Sequence, residues 1–259
     1  MERDIDRIIV VDLRGAMAHF RAFYTNSSSL TYSFPPRTVI TGLLAGIMGR
    51  PRDSYYEEFS REKCRIGLAI RSPFRKIMNT LNYLWAKSPS DFVRRSGNPL
   101  QVQFEALVPC AQSAGWGELV YRMFIWHSNL DILNEIRKRV EMKQFVYPPY
   151  MGISEFTAEL EFIQEITGHN IQVVDSENCE NFSTILNAAH IADRGLEFQS
   201  GELQYMKEVM PLEFKSDRSS RATGKFIFER NLNHIRARLT TPFIRAGGEN
   251  IAFMEDDYA

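Results

Sequence analysis

The chain has 259 residues, 44% hydrophobic and 24% charged, with a formal net charge of -1; this ordinary globular balance excludes a collagen-like repeat, a disordered tract and a disulfide-dense scaffold. Cys64, Cys110 and Cys179 are odd in number, far apart and outside any Cys-x-x-Cys pair, so neither a disulfide framework nor a structural zinc is indicated. Charges of both signs at the start and no apolar run near 20 residues predict a soluble, cytoplasmic chain with no leader and no membrane span.

The first predicted element is a buried strand over Arg7 to Leu13, a β-branched apolar run. From Arg14 to Ser33 the chain turns polar and aromatic without helical period, which predicts a long loop of the kind that is ordered by a partner. Pro35 and Pro36 then open a helix whose apolar residues Val39, Ile40, Leu43, Leu44 and Ile47 recur at helical spacing. Gly42, Ala45 and Gly46 are expected to let that helix lie close on a sheet, and Asp53 to Ser60 to form a short surface helix.

Arg65 to Ser72 alternates as a second strand, and Gln101 to Val108 is expected to pair with it. The stretch between them, rich in Arg, Lys, Asn and aromatic residues, would then project as an arm. Trp116 to Trp126 reads as a strand, Asn129 to Met142 as an amphipathic helix and Thr157 to Ile166 as a further strand. The order β-α-β-β-α-β predicts an α+β fold: a ferredoxin-like, RRM-like domain over residues 1–167 with an inserted arm at about 73–100. Residues 168–259 read as a smaller β-rich appendage with a hairpin arm from Glu213 to Thr240, its tip at Arg218 to Gly224.

Charge is segregated along the chain. Residues 61–100 hold nine bases against two acids, residues 144–214 two bases against twelve acids, and residues 215–245 eight bases against two acids. Such blocks suit a molecule that holds a polyanion on one face and meets basic neighbours on another. Metalloprotease, serine-hydrolase and phosphate-loop motifs are absent from the sequence, no cofactor is expected, and His19, His127, His169, His190 and His234 are scattered. A metal-independent ribonuclease needs only a base, an acid and a cation, so it stays as the alternative. RNA binding fits the inventory better: cations for phosphates, aromatic faces for bases, hydroxyls and amides for sugar edges, all present in the Arg14 to Thr38 segment and the Arg75 to Arg95 insert.

The segments Leu13-Arg-Gly-Ala-Met-Ala-His-Phe-Arg-Ala-Phe-Tyr24, Ser33-Phe-Pro-Pro-Arg-Thr-Val-Ile-Thr-Gly-Leu-Leu-Ala-Gly-Ile-Met-Gly49 and Arg52-Asp-Ser-Tyr-Tyr56 closely resemble the N-terminal region of the CRISPR-associated Cas-five family. Tyr147-Pro-Pro-Tyr-Met-Gly-Ile-Ser-Glu-Phe156 resembles its later loop. The resemblance, nearest to subtype I-B, implies a RAMP domain with an inserted thumb and a non-catalytic subunit of a type I Cascade complex in antiviral defence. That subunit caps the 5′ handle of the crRNA, contacts the Cas-seven backbone and the large Cas-eight subunit, and meets target DNA through the complex. By position, Arg14, His19, Arg21, Ser27, Ser28, Tyr32, Arg37 and Thr38 would lie near the handle, with Arg75, Lys76, Asn79 and Asn82 on the arm. The glycine-rich loop of RAMP proteins is represented by Gly152 alone. The acidic stretch is expected to face basic neighbours, so that charge swaps at Glu159, Glu161 and Glu165 would weaken assembly. One branch of the family cuts precursor RNA with a Tyr, Lys and His set; His127 stands between Trp126 and Ser128 with no Lys beside it.

Overall fold

A computed structural model describes residues 5–25, 28–84, 88, 99–110, 117–198, 201 and 203–255. Its centre is a four-stranded antiparallel sheet of β1 (Arg7–Gly15), β2 (Cys64–Ile70), β5 (Leu119–His127) and β6 (Glu159–Thr167), in the spatial order β2-β5-β1-β6. Two helices, α1 (Arg37–Met48) and α2 (Leu130–Glu141), follow its first and third strands.

The unbroken apolar run of β1 follows from burial on both faces. Side chains alternate across a strand, so Ile9, Val11 and Leu13 share a core with Ile40 and Leu44 of α1 and Leu133 and Ile136 of α2. Ile8 and Val10 instead join Phe124, Trp126, Ile244, Ile251 and Phe253 in a second cluster on the opposite face. The strands Phe243–Ala246 and Glu249–Ile251 thus cover the back of the sheet. Gly67 marks their closest approach, because a Cβ there would stand 2.6 Å from Ile251 Cγ2.

α1 begins after Pro36 and ends at Gly49, whose φ of 75° lets its N–H reach back to carbonyls of the last turn. Of the three small residues expected against the sheet only Ala45 is buried in the core, with Ile40, Leu44 and Ile47; Gly42 faces the Tyr55 hydroxyl and Gly46 open space. Asp53 to Ser60 forms turns rather than a helix. The Asn129 side chain accepts the Asp131 N–H to cap α2, which buries Ile132, Leu133, Ile136 and Val140.

The arm is a hairpin of β3 (Phe74–Leu84) and β4 (Pro99–Pro109), paired from Phe74 opposite Pro109 to Leu84 opposite Pro99. Eleven residues a strand give a reach of about 35 Å. Expected pairing of Gln101 to Val108 with Arg65 to Ser72 is therefore corrected: β2 takes β5 as its neighbour, and the chain leaves the central sheet at Ile70 before returning. Phe74, Phe104, Ala106 and Leu107 root the arm in the body, whereas Met78, Asn79, Thr80, Asn82, Tyr83, Leu100 and Gln101 are exposed farther out. The rest of the predicted insert, residues 85–87 and 89–98, lies outside the described residues.

The long loop expected over Arg14 to Ser33 is instead largely packed. Ala18 bridges to Leu107 of β4, Phe20–Arg21 pairs with Thr31–Tyr32, and Ser28–Ser29 runs parallel to Gln103 and Phe104. In the C-terminal region β7 (Tyr205–Phe214) and β8 (Ser220–Glu229) form a hairpin turning at residues 215–219, overlapping the expected tip but with strands that begin and end about ten residues earlier than expected. This hairpin is no detached arm: Met210, Leu212, Phe226 and Phe228 enter the same core as β1 and α1. Among the described residues no helix is long and apolar enough to cross a membrane.

Candidate nucleic-acid interface

Where the arm joins the body, two carboxylates shape the segment from His19 to Ser33. Glu105 on β4 accepts the Thr31 N–H at 2.9 Å, and Glu208 on β7 accepts both the N–H and the hydroxyl of Ser33, at 2.9 and 2.7 Å. Lys76 on β3 closes the group, donating to the Thr31 carbonyl at 2.7 Å and standing 3.4 Å from Glu208. Each backbone group taken up here would otherwise be an unpaired donor or acceptor at a partly buried junction.

His19 is buried in that junction. Its Nδ1 lies 2.7 Å from the Glu105 carbonyl, to which it donates, and its Nε2 accepts the Ser29 hydroxyl at 2.9 Å, with the ring 4.3 Å from Phe104. Burial holds its pKa below the usual histidine value, so the neutral ring is the resident form. Gly152, with φ of 90°, presses on the same place: a Cβ there would stand 2.1 Å from the His19 carbonyl oxygen. The lone glycine of that loop thus meets the backbone of the His19 segment, which no side chain would permit.

The residues singled out from sequence separate into three groups. Arg37, Tyr32 and His19 are buried. Arg37 donates to Glu255, to the carbonyls of Phe59 and Cys64 at 2.9 and 2.7 Å, and to that of Leu212 at 3.3 Å, so all its donor directions point into the protein. Burial likewise pushes the Tyr32 hydroxyl up to about 12. The expectation that Arg37 meets RNA at a helix N-terminus is corrected on this ground; Thr38 is only half-buried beside it. A second group is committed to internal partners: Arg14 is held by Glu118 and Glu161 at 3.0 and 2.9 Å, and Lys76 by the junction.

The third group is open to solvent. Arg21, Arg75, Asn79 and Asn82 are exposed, and Arg21 and Arg75 have no ion pair among the described residues. Strand alternation sets Arg75 and Asn79 on one face of the hairpin and Asn82, with Lys76, on the other. Ser28 is half-buried on the edge of β4, and Ser27 lies outside the described residues. Phe23, Tyr24 and Tyr83, all exposed aromatics, belong to the two segments read as RNA-binding but were not among the residues singled out from sequence. An aromatic pair two residues beyond the exposed Arg21 was the available signal for the first two.

The charge blocks of the sequence also meet one another. Arg61 pairs with Glu213, Arg71 with Glu249, Lys143 with Glu159, and both Arg7 and Arg137 with Glu165. Each of the acids at 159, 161 and 165 thus has a basic partner within the chain, Glu165 in a partly buried pair, while Glu159 and Glu161 remain about half exposed on the surface. His127 is buried too, accepting the Asn129 N–H at Nδ1 and donating from Nε2 to the Glu58 carbonyl at 2.9 Å. Among the described residues no group of three or more His, Cys, Asp or Glu is placed to hold a metal ion.

The hairpin presents cations at its root and amides and a ring farther out, the inventory of a surface for single-stranded nucleic acid. A family model described as CRISPR-associated protein (Cas_Cas5) matches residues 8–225, and the chain belongs to that family. Similar solved structures include a "CRISPR RNA-guided surveillance complex" chain, at 13% identity and a TM-score of 0.48 over 89% of this chain and 91% of that one. A second, titled "Crystal structure of Cas protein", shows 12% identity and a TM-score of 0.41 over 89% and 95%. A third, from a type III-B Cmr-beta complex bound to cognate target RNA and AMPPnP, shows 12% identity and a TM-score of 0.46 over 89% and 86%. No curated protein matches the chain.

Proposed function

We propose that this CRISPR-associated chain is a non-catalytic crRNA-binding subunit of a type I, I-B-like Cascade complex, holding the 5′ handle of the guide against its arm. The central sheet and its two helices serve as the ferredoxin-like RAMP platform, and the β3-β4 hairpin as the thumb. The observation that carries this reading is the exposure of Arg21, Arg75, Asn79 and Tyr83 around the projecting hairpin, while Arg7, Arg14, Arg61 and Arg71 are bound by carboxylates of the same chain. Free guanidinium groups attract phosphate, and amides and rings take sugars and unstacked bases. The Cas-seven backbone and Cas-eight subunit would be its cytoplasmic neighbours, with target DNA reached through the complex.

His19 and His127 each have both ring nitrogens engaged and stand buried, which favours a structural role for both over general acid-base work. Purified full-length protein incubated with CRISPR repeat RNA in chelator separates the two functions. Intact RNA, bound more tightly than a scrambled sequence of equal length, is the expected result. Specific cleavage lost in His127→Ala would establish the endoribonuclease instead.

A further inference from the structure

Phe23 and Tyr24 are adjacent in sequence and 59% and 60% exposed. Leaving two large rings in water forgoes the stabilisation that burial would bring, and the loop that bears them is nevertheless well tied. The Ala22 N–H donates to the Leu30 carbonyl at 2.8 Å, and the Thr25 hydroxyl returns to the Ala22 carbonyl at 2.9 Å. Tyr24 also rests edge-on against buried Tyr32, with centroids 6.2 Å apart at 76°, while Phe23 and Tyr24 meet at 5.5 Å and 80°. Each edge-to-face contact covers at most one face of one ring, and with both residues more than half exposed a ring face is left for a third aromatic plane.

The charge around the pair suits an anion-bearing ligand. Arg21 is exposed without an ion pair among the described residues, and the carboxylates nearest Tyr24, Glu208 and Glu105, are already occupied by Lys76 and by the N–H groups of Ser33 and Thr31. A nucleotide supplies both a flat ring and a phosphate, the two groups that exposed rings beside a free guanidinium can take together.

We propose that Phe23 and Tyr24 form a stacking platform for one or two unstacked bases of single-stranded RNA, with Arg21 on a flanking phosphate. This inference rests on the RNA-binding reading above and adds to it the groups that meet bases. Stacking on an aromatic side chain tolerates any base, so the platform sets strandedness and position rather than sequence.

The test uses full-length protein and CRISPR repeat RNA carrying 2-aminopurine at successive positions of its 5′ handle. Wild-type protein should quench the probe at one or two neighbouring positions. The double variant Phe23→Leu with Tyr24→Leu keeps apolar bulk and charge but removes the rings; it should lose that quench and bind about five- to a hundredfold more weakly, with the salt dependence unchanged. Tyr24→Phe should retain the quench, and both variants should keep the wild-type thermal midpoint, because the altered rings are exposed. Undiminished quench and affinity in the leucine variant, with wild-type RNA binding intact, would overturn the platform and leave the RNA-binding reading standing. Loss of neighbouring Cascade subunits on purification with RNA affinity intact would show a protein-docking surface and also overturn it. A wild-type chain that binds no RNA would remove both.

Discussion

Glu255 accepts the Ile66 N–H and the Arg37 guanidinium at once, fastening the end of the described chain to an edge strand and to the first residue of α1. Both charges are almost fully buried, so each depends on the other for compensation. Removing one partner of such a pair costs about 3–5 kcal/mol; Glu255→Ala should show that loss in urea unfolding, and a loss under 1 kcal/mol would mean that the carbonyls around Arg37 suffice. Beside the pair, burial pushes the Cys64 thiol up to about 12, so it stays an unreactive core residue. The buried histidines set a pH limit. Burial depresses His19 and His127 below their ordinary value, so the unfolded chain takes up their protons before the folded one does. Their stabilisation is complete above about pH 6.5 and declines as pH falls below it, well before carboxylates such as Asp53, held low by Arg218, begin to protonate. Unfolding free energy should therefore drop between pH 7.5 and 5.5, and His127→Gln should flatten that slope; an unchanged slope would contradict the assignment.

At the scale of elements, what could be read from sequence was local. β1 announced itself as an apolar run, and α2 by Leu133, Ile136 and Val140 behind an asparagine cap. Asn129→Ala should cost about 1 kcal/mol in thermal or chemical unfolding, the usual loss when a side-chain cap is removed; no change would mean water replaces it. The Phe20 to Ser33 segment was illegible because its order comes from afar: Thr31 is satisfied by a carboxylate 74 residues away and Ser33 by one 175 residues away. Without those partners the same residues look like a free polar loop. Arg37 misled for a similar reason, since helix start, positive charge and proline pair all suit a phosphate site until Glu255 and three carbonyls are placed around it. The arm's existence was legible from its composition, but its strand partner was not, because alternation alone does not say which strand lies alongside.

Over the whole molecule, a net charge near zero conceals a division of labour among cations. Many of the basic residues that look available in sequence are used to join distant segments, as in Arg61 with Glu213 and Arg71 with Glu249. The C-terminal region fills the back of the central sheet and part of its front, and the surface proposed for a polyanion is the hairpin and the segment beside its root. The most direct measurement of that claim is the salt dependence of 5′-handle RNA binding by the full-length chain and by the double variant Arg21→Glu with Arg75→Glu. On a single strand each phosphate contact contributes about -0.7 to the slope of log affinity against log salt. The variant should bind more weakly with a slope shallower by about 1.4 and an unchanged thermal midpoint. Equal slopes and affinities for variant and wild type would place the RNA elsewhere on the molecule.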